Sequence, residues 1–214
     1  MNKENYDFDK IESITQLDNS LVEYGIIRGN NIIVFIKSGL KGTCYGYNNI
    51  YLKIAKLLNE KHNCTVICAS NPYGYKNDFD AEMKFIDKYA QSNNLKNYKI
   101  YYFGHSNGAA LGIMNAYKYP KISKLCCING PLMINPDKII SGIKKFDGEK
   151  MYLVYGSNDP SFSLVNFFYE LESDKIEFVN VKNTDHNFSN ANNLFMQLPG
   201  VLLFGDEINK IYSL

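Results

Sequence analysis

The sequence contains no tryptophan and only three histidines, and its five cysteines follow no repeated spacing. It lacks a Cys-x-x-Cys pair and any His/Cys cluster with zinc-ligand spacing, which argues against a metal site or a redox dithiol. Cys64, Cys68, Cys126 and Cys127 fall in or beside apolar, strand-like segments. A cysteine there acts as a small hydrophobe, so buried and reduced thiols are expected. Adjacent Cys126 and Cys127 would point to opposite faces of one strand.

An excess of charge is also missing. Its 23 basic and 22 acidic residues leave a formal net charge of +1, and the basic ones are scattered. No field steers such a chain toward nucleic acid or an anionic membrane. Apolar runs such as Ile32–Ile36 fall far short of the roughly 20 residues that span a bilayer. The opening stretch MNKENYDFDKIESITQ carries no apolar core of signal-peptide length. A soluble, cytoplasmic protein with no nucleic-acid partner and no membrane span is the expectation. With no repeat, low-complexity block or Pro/Gly-rich linker, residues 1–214 are expected to form one domain.

What is present is an alternation of strands and helices. Val22–Arg28 and Asn31–Lys37 flank the turn-prone pair Gly29-Asn30 and read as a hairpin. Further strands are expected at Cys64–Ala69, Lys99–Phe103, Lys124–Ile128, Met151–Tyr155 and Ile176–Val181. Helical spacing covers Tyr47–Glu60, Asp78–Gln91 and Asn107–Lys118. Helical segments are also expected near Asp137–Lys144, Ser161–Glu172 and Ala191–Tyr212, the last with an irregularity at Pro199-Gly200. Strands separated by helices imply crossovers and a mostly parallel sheet with helices on both faces. VICA, IYYF, LCCI and MYLVY are apolar throughout, as strands covered on both faces should be. In such a sheet the reactive groups gather past the carboxyl ends of the strands.

Past the Lys99–Phe103 strand stands Gly104-His105-Ser106-Asn107-Gly108, a Gly-x-Ser-x-Gly pentapeptide. A serine hydroxyl is a poor nucleophile and must reach its base unobstructed. A sharp strand-to-helix turn lifts the Oγ above the sheet edge, and glycines on either side let strand and helix pass closely. The pentapeptide alone is a weak signal. Its position between a strand and a helix strengthens it, as do two partners further along the chain. Asp159 follows the Met151–Tyr155 strand in Gly-Ser-Asn-Asp-Pro, and His186 follows Ile176–Val181 in Asp-His-Asn-Phe.

Ser106 would attack an acyl carbon, His186 would take and return its proton, and Asp159 would hold the imidazole. His62 reads as a solvated helix end and His105 as a spacer in the elbow whose side chain points away from the reacting atom. Asp185, adjacent to His186, reads as a loop residue. The developing oxyanion needs donors. The backbone N–H of Asn107 is one, and Leu40 in Ser38-Gly39-Leu40-Lys41-Gly42 is the choice for the other.

Together these segments resemble the α/β-hydrolase superfamily, from about Val22 to the C-terminal helix. The order Ser106, Asp159, His186 is that of the family. The resemblance implies a mostly parallel sheet of about seven or eight strands. The family usually carries His-Gly in the oxyanion loop, where this chain has Ser38-Gly39. The stretch Asn129–Lys150 has room for one helix and none for a large cap, which implies an open site for a small-molecule acyl substrate. Tyr45, Met133 and Phe188 are candidates to line it, although large apolar side chains of this kind commonly belong to the core.

No cofactor is expected. The elbow lacks the Lys-Ser/Thr of a phosphate loop, and no Gly-x-Gly-x-x-Gly occurs. That pattern also disfavours a flavodoxin-like nucleotide-binding domain. The leading expectation is a serine esterase or thioesterase working through an acyl-enzyme. An amidase or an acyltransferase using the same three residues, and a non-catalytic binding protein on this fold, are the alternatives.

Overall fold

The computed structural model describes residues 7–15, 21–72 and 78–207. Its strands are β1 (Lys10–Thr15), β2 (Leu21–Ile27), β3 (Asn30–Lys37), β4 (Cys64–Ala69), β5 (Lys99–His105), β6 (Ile122–Ile128), β7 (Lys150–Gly156) and β8 (Ile176–Val181). They form one sheet in the order β1-β2-β4-β3-β5-β6-β7-β8. From β4 to β8 every neighbouring pair is parallel, while β2 runs antiparallel to β1 and β4.

The alternation of side chains along each strand divides two cores. Ile33 and Phe35 of β3 belong to one core, Val34 and Ile36 to the other. Cys127 and Cys126 part the same way. All five cysteines are free and buried. Burial pushes the Cys44 thiol up to about 11 and the Cys64 thiol to about 12. Helices α2 (Phe79–Ser92), α3 (Asn107–Asn115), α4 (Pro136–Lys145) and the short α5 (Phe162–Val165) cover the first face. Helices α1 (Ile50–His62) and α6 (Asn192–Pro199) cover the second. Burying one large apolar side chain in such a layer contributes about 1.5–3 kcal/mol. Between β6 and β7 the chain forms only α4, and no cap is inserted.

Two expectations are corrected, and one strand is added. β2 and β3 do not form a hairpin, because β4 lies between them. Both edges of β3 are taken by parallel partners, so the Arg28-Gly29 link must cross the start of β4. Asn30 N–H donates to Asn63 O at 2.6 Å there, and Gly29 N–H to Thr65 Oγ1 at 3.1 Å. β1 was not anticipated, since KIESIT alternates as an edge strand and buries little.

The Ser161–Glu172 segment is not one helix but α5 followed by a 3₁₀ turn at Tyr169–Leu171. Phe162, Val165, Phe168 and Leu171 face the core, and that spacing of three suits a tighter winding than the α-helix. The last helix changes character where Pro199 interrupts its hydrogen bonding, continuing as a wider π turn over Gly200–Phe204. The remainder of that predicted helix, 208–212, lies outside the described residues. No helix among the described residues is long and apolar enough to cross a membrane.

The close passage of α3 over the sheet gives the first test. A Cβ on Gly108 would lie 2.3 Å from the carbonyl oxygen of Lys37, a backbone atom that cannot step aside. Gly108→Ala is expected to destabilise the protein by about 1–3 kcal/mol. The midpoint of thermal unfolding should drop by roughly 3–10 °C. An unchanged midpoint would show that the elbow has slack there.

Candidate active site

The carboxyl ends of β3, β5, β7 and β8 open on the same edge of the sheet, and each carries one part of the site. At the end of β5 the chain turns into α3 in a single residue. Ser106 takes φ 55° and ψ −122°, a conformation that costs a non-glycine residue about 1–3 kcal/mol. Its N–H donates to Ile128 O at 2.8 Å, which ties the turn to β6. A Cβ on Gly104 would sit 2.7 Å from the Ala109 backbone, so glycine is needed where the two arms of the turn meet.

The structure brings Ser106, His186 and Asp159 together. His186 Nε2 lies 2.9 Å from Ser106 Oγ, and His186 Nδ1 lies 2.5 Å from Asp159 Oδ2. The carboxylate is fully buried and the imidazole is 37% exposed. Asp159 Oδ1 accepts from Ser161 N–H at 2.7 Å, so each carboxylate oxygen has a partner. Asp185 does not approach the imidazole through its side chain. Its Oδ1 accepts from Ser189 N–H (2.8 Å) and Asn187 N–H (3.1 Å). The Ser189 N–H holds this carboxyl below the usual carboxylate range. Asp185 is thus the pin of the loop that carries His186.

The loop after β3 closes as a turn, with Gly42 N–H donating to Gly39 O at 2.9 Å. Ser38 is buried, its Oγ 3.1 Å from both Gly42 O and Ala69 O. A Cβ on Gly39 would lie 3.2 Å from Ser106 Cβ, so the loop abuts the serine. Leu40 is the second residue of that turn and Asn107 the first of α3. Neither N–H is used by the local turn or helix ladder.

Residues that sequence reasoning missed staple these loops together. Asn71 Nδ2 donates to Ser38 O (3.0 Å) and Asn107 Oδ1 (2.9 Å), joining the β3 loop to the elbow. Asn129 Nδ2 donates to His186 O (2.9 Å) and Asp185 O (3.2 Å), while its Oδ1 accepts from Gly156 N–H (2.9 Å). Each asparagine directly follows a strand or stands one residue beyond it, and both are buried. A polar residue at the carboxyl end of an apolar strand was the available signal.

The expected lining residues fare differently. Phe188 is fully buried against Phe195, so it belongs to the core and does not line the site. Its left-handed φ of 54° turns the ring into the α6 layer. Tyr45 gives its ring to Phe8 and its hydroxyl to Asp7 Oδ1 at 2.8 Å. Met133 is 70% exposed just past the end of β6, on the site's edge of the sheet.

His62 is not simply solvated. It stacks on Phe204 at 3.9 Å and meets Asp206 Oδ2 at 3.1 Å. His105 makes no hydrogen bond to Ser106 Oγ but is partnered elsewhere. Its Nε2 lies 2.9 Å from the carbonyl oxygen of His186.

No protein-family model matches the chain, and no curated protein matches it. Solved structures do. Est1E from Butyrivibrio proteoclasticus superposes with a TM-score of 0.71 at 13% identity, over 91% of this chain and 98% of that one. An alpha-beta serine hydrolase homologue from Coxiella burnetii gives 0.67 at 19% identity, over 90% and 96%. XC6422 from Xanthomonas campestris, described as an a/b serine hydrolase without lid, gives 0.61 at 14% identity, over 92% of each chain. The chain has the α/β-hydrolase fold, in a form without a cap domain.

Burial pulls the His105 imidazole down to about 4, from an ordinary value of 6.5. Unfolded chains therefore bind this proton first as the pH falls, and stability is lost between about 6.5 and 4. His105→Gln removes the titrating group. Its melting temperature should fall less steeply than the wild type's over that interval. Parallel melting curves for the two proteins would contradict a buried neutral imidazole.

Proposed function

We propose that the chain is a serine hydrolase that cleaves a carboxylic ester or thioester of a small or medium acyl group. The observation that carries the proposal is the unbroken hydrogen-bonded line from Ser106 Oγ through the His186 ring to buried Asp159. In a relay of this kind Nε2 takes the hydroxyl proton as Oγ bonds to the acyl carbon. Asp159 fixes the tautomer with the proton on Nδ1 and stabilises the imidazolium that forms. That proton then passes to the leaving group, whose bond to the acyl carbon breaks. Water, activated by the same imidazole, next releases the acid and restores Ser106.

The proposed oxyanion donors are the backbone N–H groups of Leu40 and Asn107. Their loops abut at Gly39 and Ser106, and both are tied to Asn71. The strained backbone at Ser106 supports the same reading, since cost of this kind persists where function uses it. The missing cap supports an open site, with exposed Met133 and Leu40 as apolar surface for an acyl group. No cofactor enters this chemistry, and the serine, histidine and aspartate suffice for it. A cytoplasmic location and a chain that works as one domain complete the proposal.

A fluorophosphonate probe and an activated ester test it together. Wild type should label and turn over, and Ser106→Ala should do neither. Ser106→Ala, His186→Ala and Asp159→Asn should each lower kcat by about four orders of magnitude while leaving the fold intact. Absence of labelling by folded wild-type protein at neutral pH would favour a non-catalytic binding role for the fold.

A further inference from the structure

The residue before the proposed nucleophile is held at both ring nitrogens. His105 Nε2 stands 2.9 Å from His186 O, and Nδ1 stands 3.3 Å from the Tyr51 hydroxyl. A carbonyl oxygen only accepts, so Nε2 carries the hydrogen and Nδ1 is bare. The Tyr51 O–H then donates to Nδ1. Tyr51 itself is buried in α1, beneath the sheet edge, with its ring against Phe103 of β5. The His105 ring in turn packs edge-on against Phe195 of α6.

We infer that Tyr51 and His105 are a positioning pair for the proposed reaction, fastening the main chain of the general base to α1 through one hydrogen-bonded relay. It runs from the Tyr51 hydroxyl to the His105 ring to the carbonyl of His186. Neither residue touches a reacting atom. Their effect is to hold the loop that carries His186 at a fixed place against α1. Asn129 holds the same His186 carbonyl from the β6 side, so the base is fastened by two independent donors. Misplacing a base or an oxyanion donor by a fraction of an ångström weakens the transition state more than the bound substrate. The relay is therefore expected to act on kcat.

This inference rests on the serine-hydrolase reading, and the experiment separates the two. Tyr51→Phe deletes one hydroxyl and keeps the ring. His105→Leu removes the relay, and His105→Gln retains one donor and one acceptor. Melting temperature, kcat and KM on an activated ester are measured for each, with the double variant Tyr51→Phe/His105→Leu.

Tyr51→Phe should lower kcat about 10-fold with KM changed less than about twofold. His105→Leu should lower it by about 10–100-fold, and His105→Gln should recover most of the loss. The double variant should be no slower than His105→Leu alone, because both changes break one chain. Wild-type kcat in folded Tyr51→Phe would overturn the inference, as would losses that multiply in the double variant or a rise in KM alone. If His105→Leu does not fold, Tyr51→Phe and His105→Gln decide the matter. Failure of the underlying reading has a different signature: wild type itself neither labels nor turns over.

Discussion

The site depends on how closely α3 passes the end of β5. That passage forces Ser106 into a backbone conformation a side-chain-bearing residue rarely adopts, and it lifts Oγ clear of the sheet edge. Nothing local makes this conformation favourable. It is held from outside, by the Ser106 N–H on Ile128 O, by Gly104 against Ala109 and by Gly108 against the Lys37 carbonyl. The parallel register of β3, β5 and β6 sets the contacts to Ile128 and Lys37, so the sheet shares in holding the strain.

Around that point the loops are assembled with buried polar groups and few apolar contacts. Asn71 joins the β3 loop to the elbow, and Asn129 joins the β7 and β8 loops. Tyr51 and His105 tie the β8 loop to α1. Hydrogen bonds are directional, and an unmade one in a buried setting costs about 1–3 kcal/mol. Such a network resists small displacements in a way that greasy packing does not. Just below it, Lys37 forms a fully buried ion pair with Glu82 of α2 and donates to Ser70 O at 2.7 Å. Burial lowers the Lys37 pKa and raises that of Glu82.

The architecture was legible because most strands are covered on both faces. Cys64–Ala69 stands at the bounds read from its apolar run and is buried throughout. Where burial is one-sided or partial the pattern fades, and β1 shows this, with Lys10 and Glu12 at alternate positions and no residue fully buried. The Gly29-Asn30 pair looked like a hairpin turn because turn chemistry is local, whereas the insertion of β4 is a fact of the whole sheet. Ser106, Asp159 and His186 were readable since each follows a strand in a short loop. Asn71, Asn129, Tyr51 and the use made of His105 were not, because their partners lie tens of residues away. Phe188 was misassigned for the same reason: its left-handed turn into the α6 layer is a tertiary choice.

The central claim is that Ser106 Oγ forms a covalent bond to an acyl group. Mass spectrometry of protein quenched in acid during turnover of a p-nitrophenyl ester examines that bond directly. The account predicts one acyl group added to the peptide that contains Ser106. An acyl group found on another residue, or steady hydrolysis with no acylated peptide under conditions where deacylation limits the rate, would contradict it.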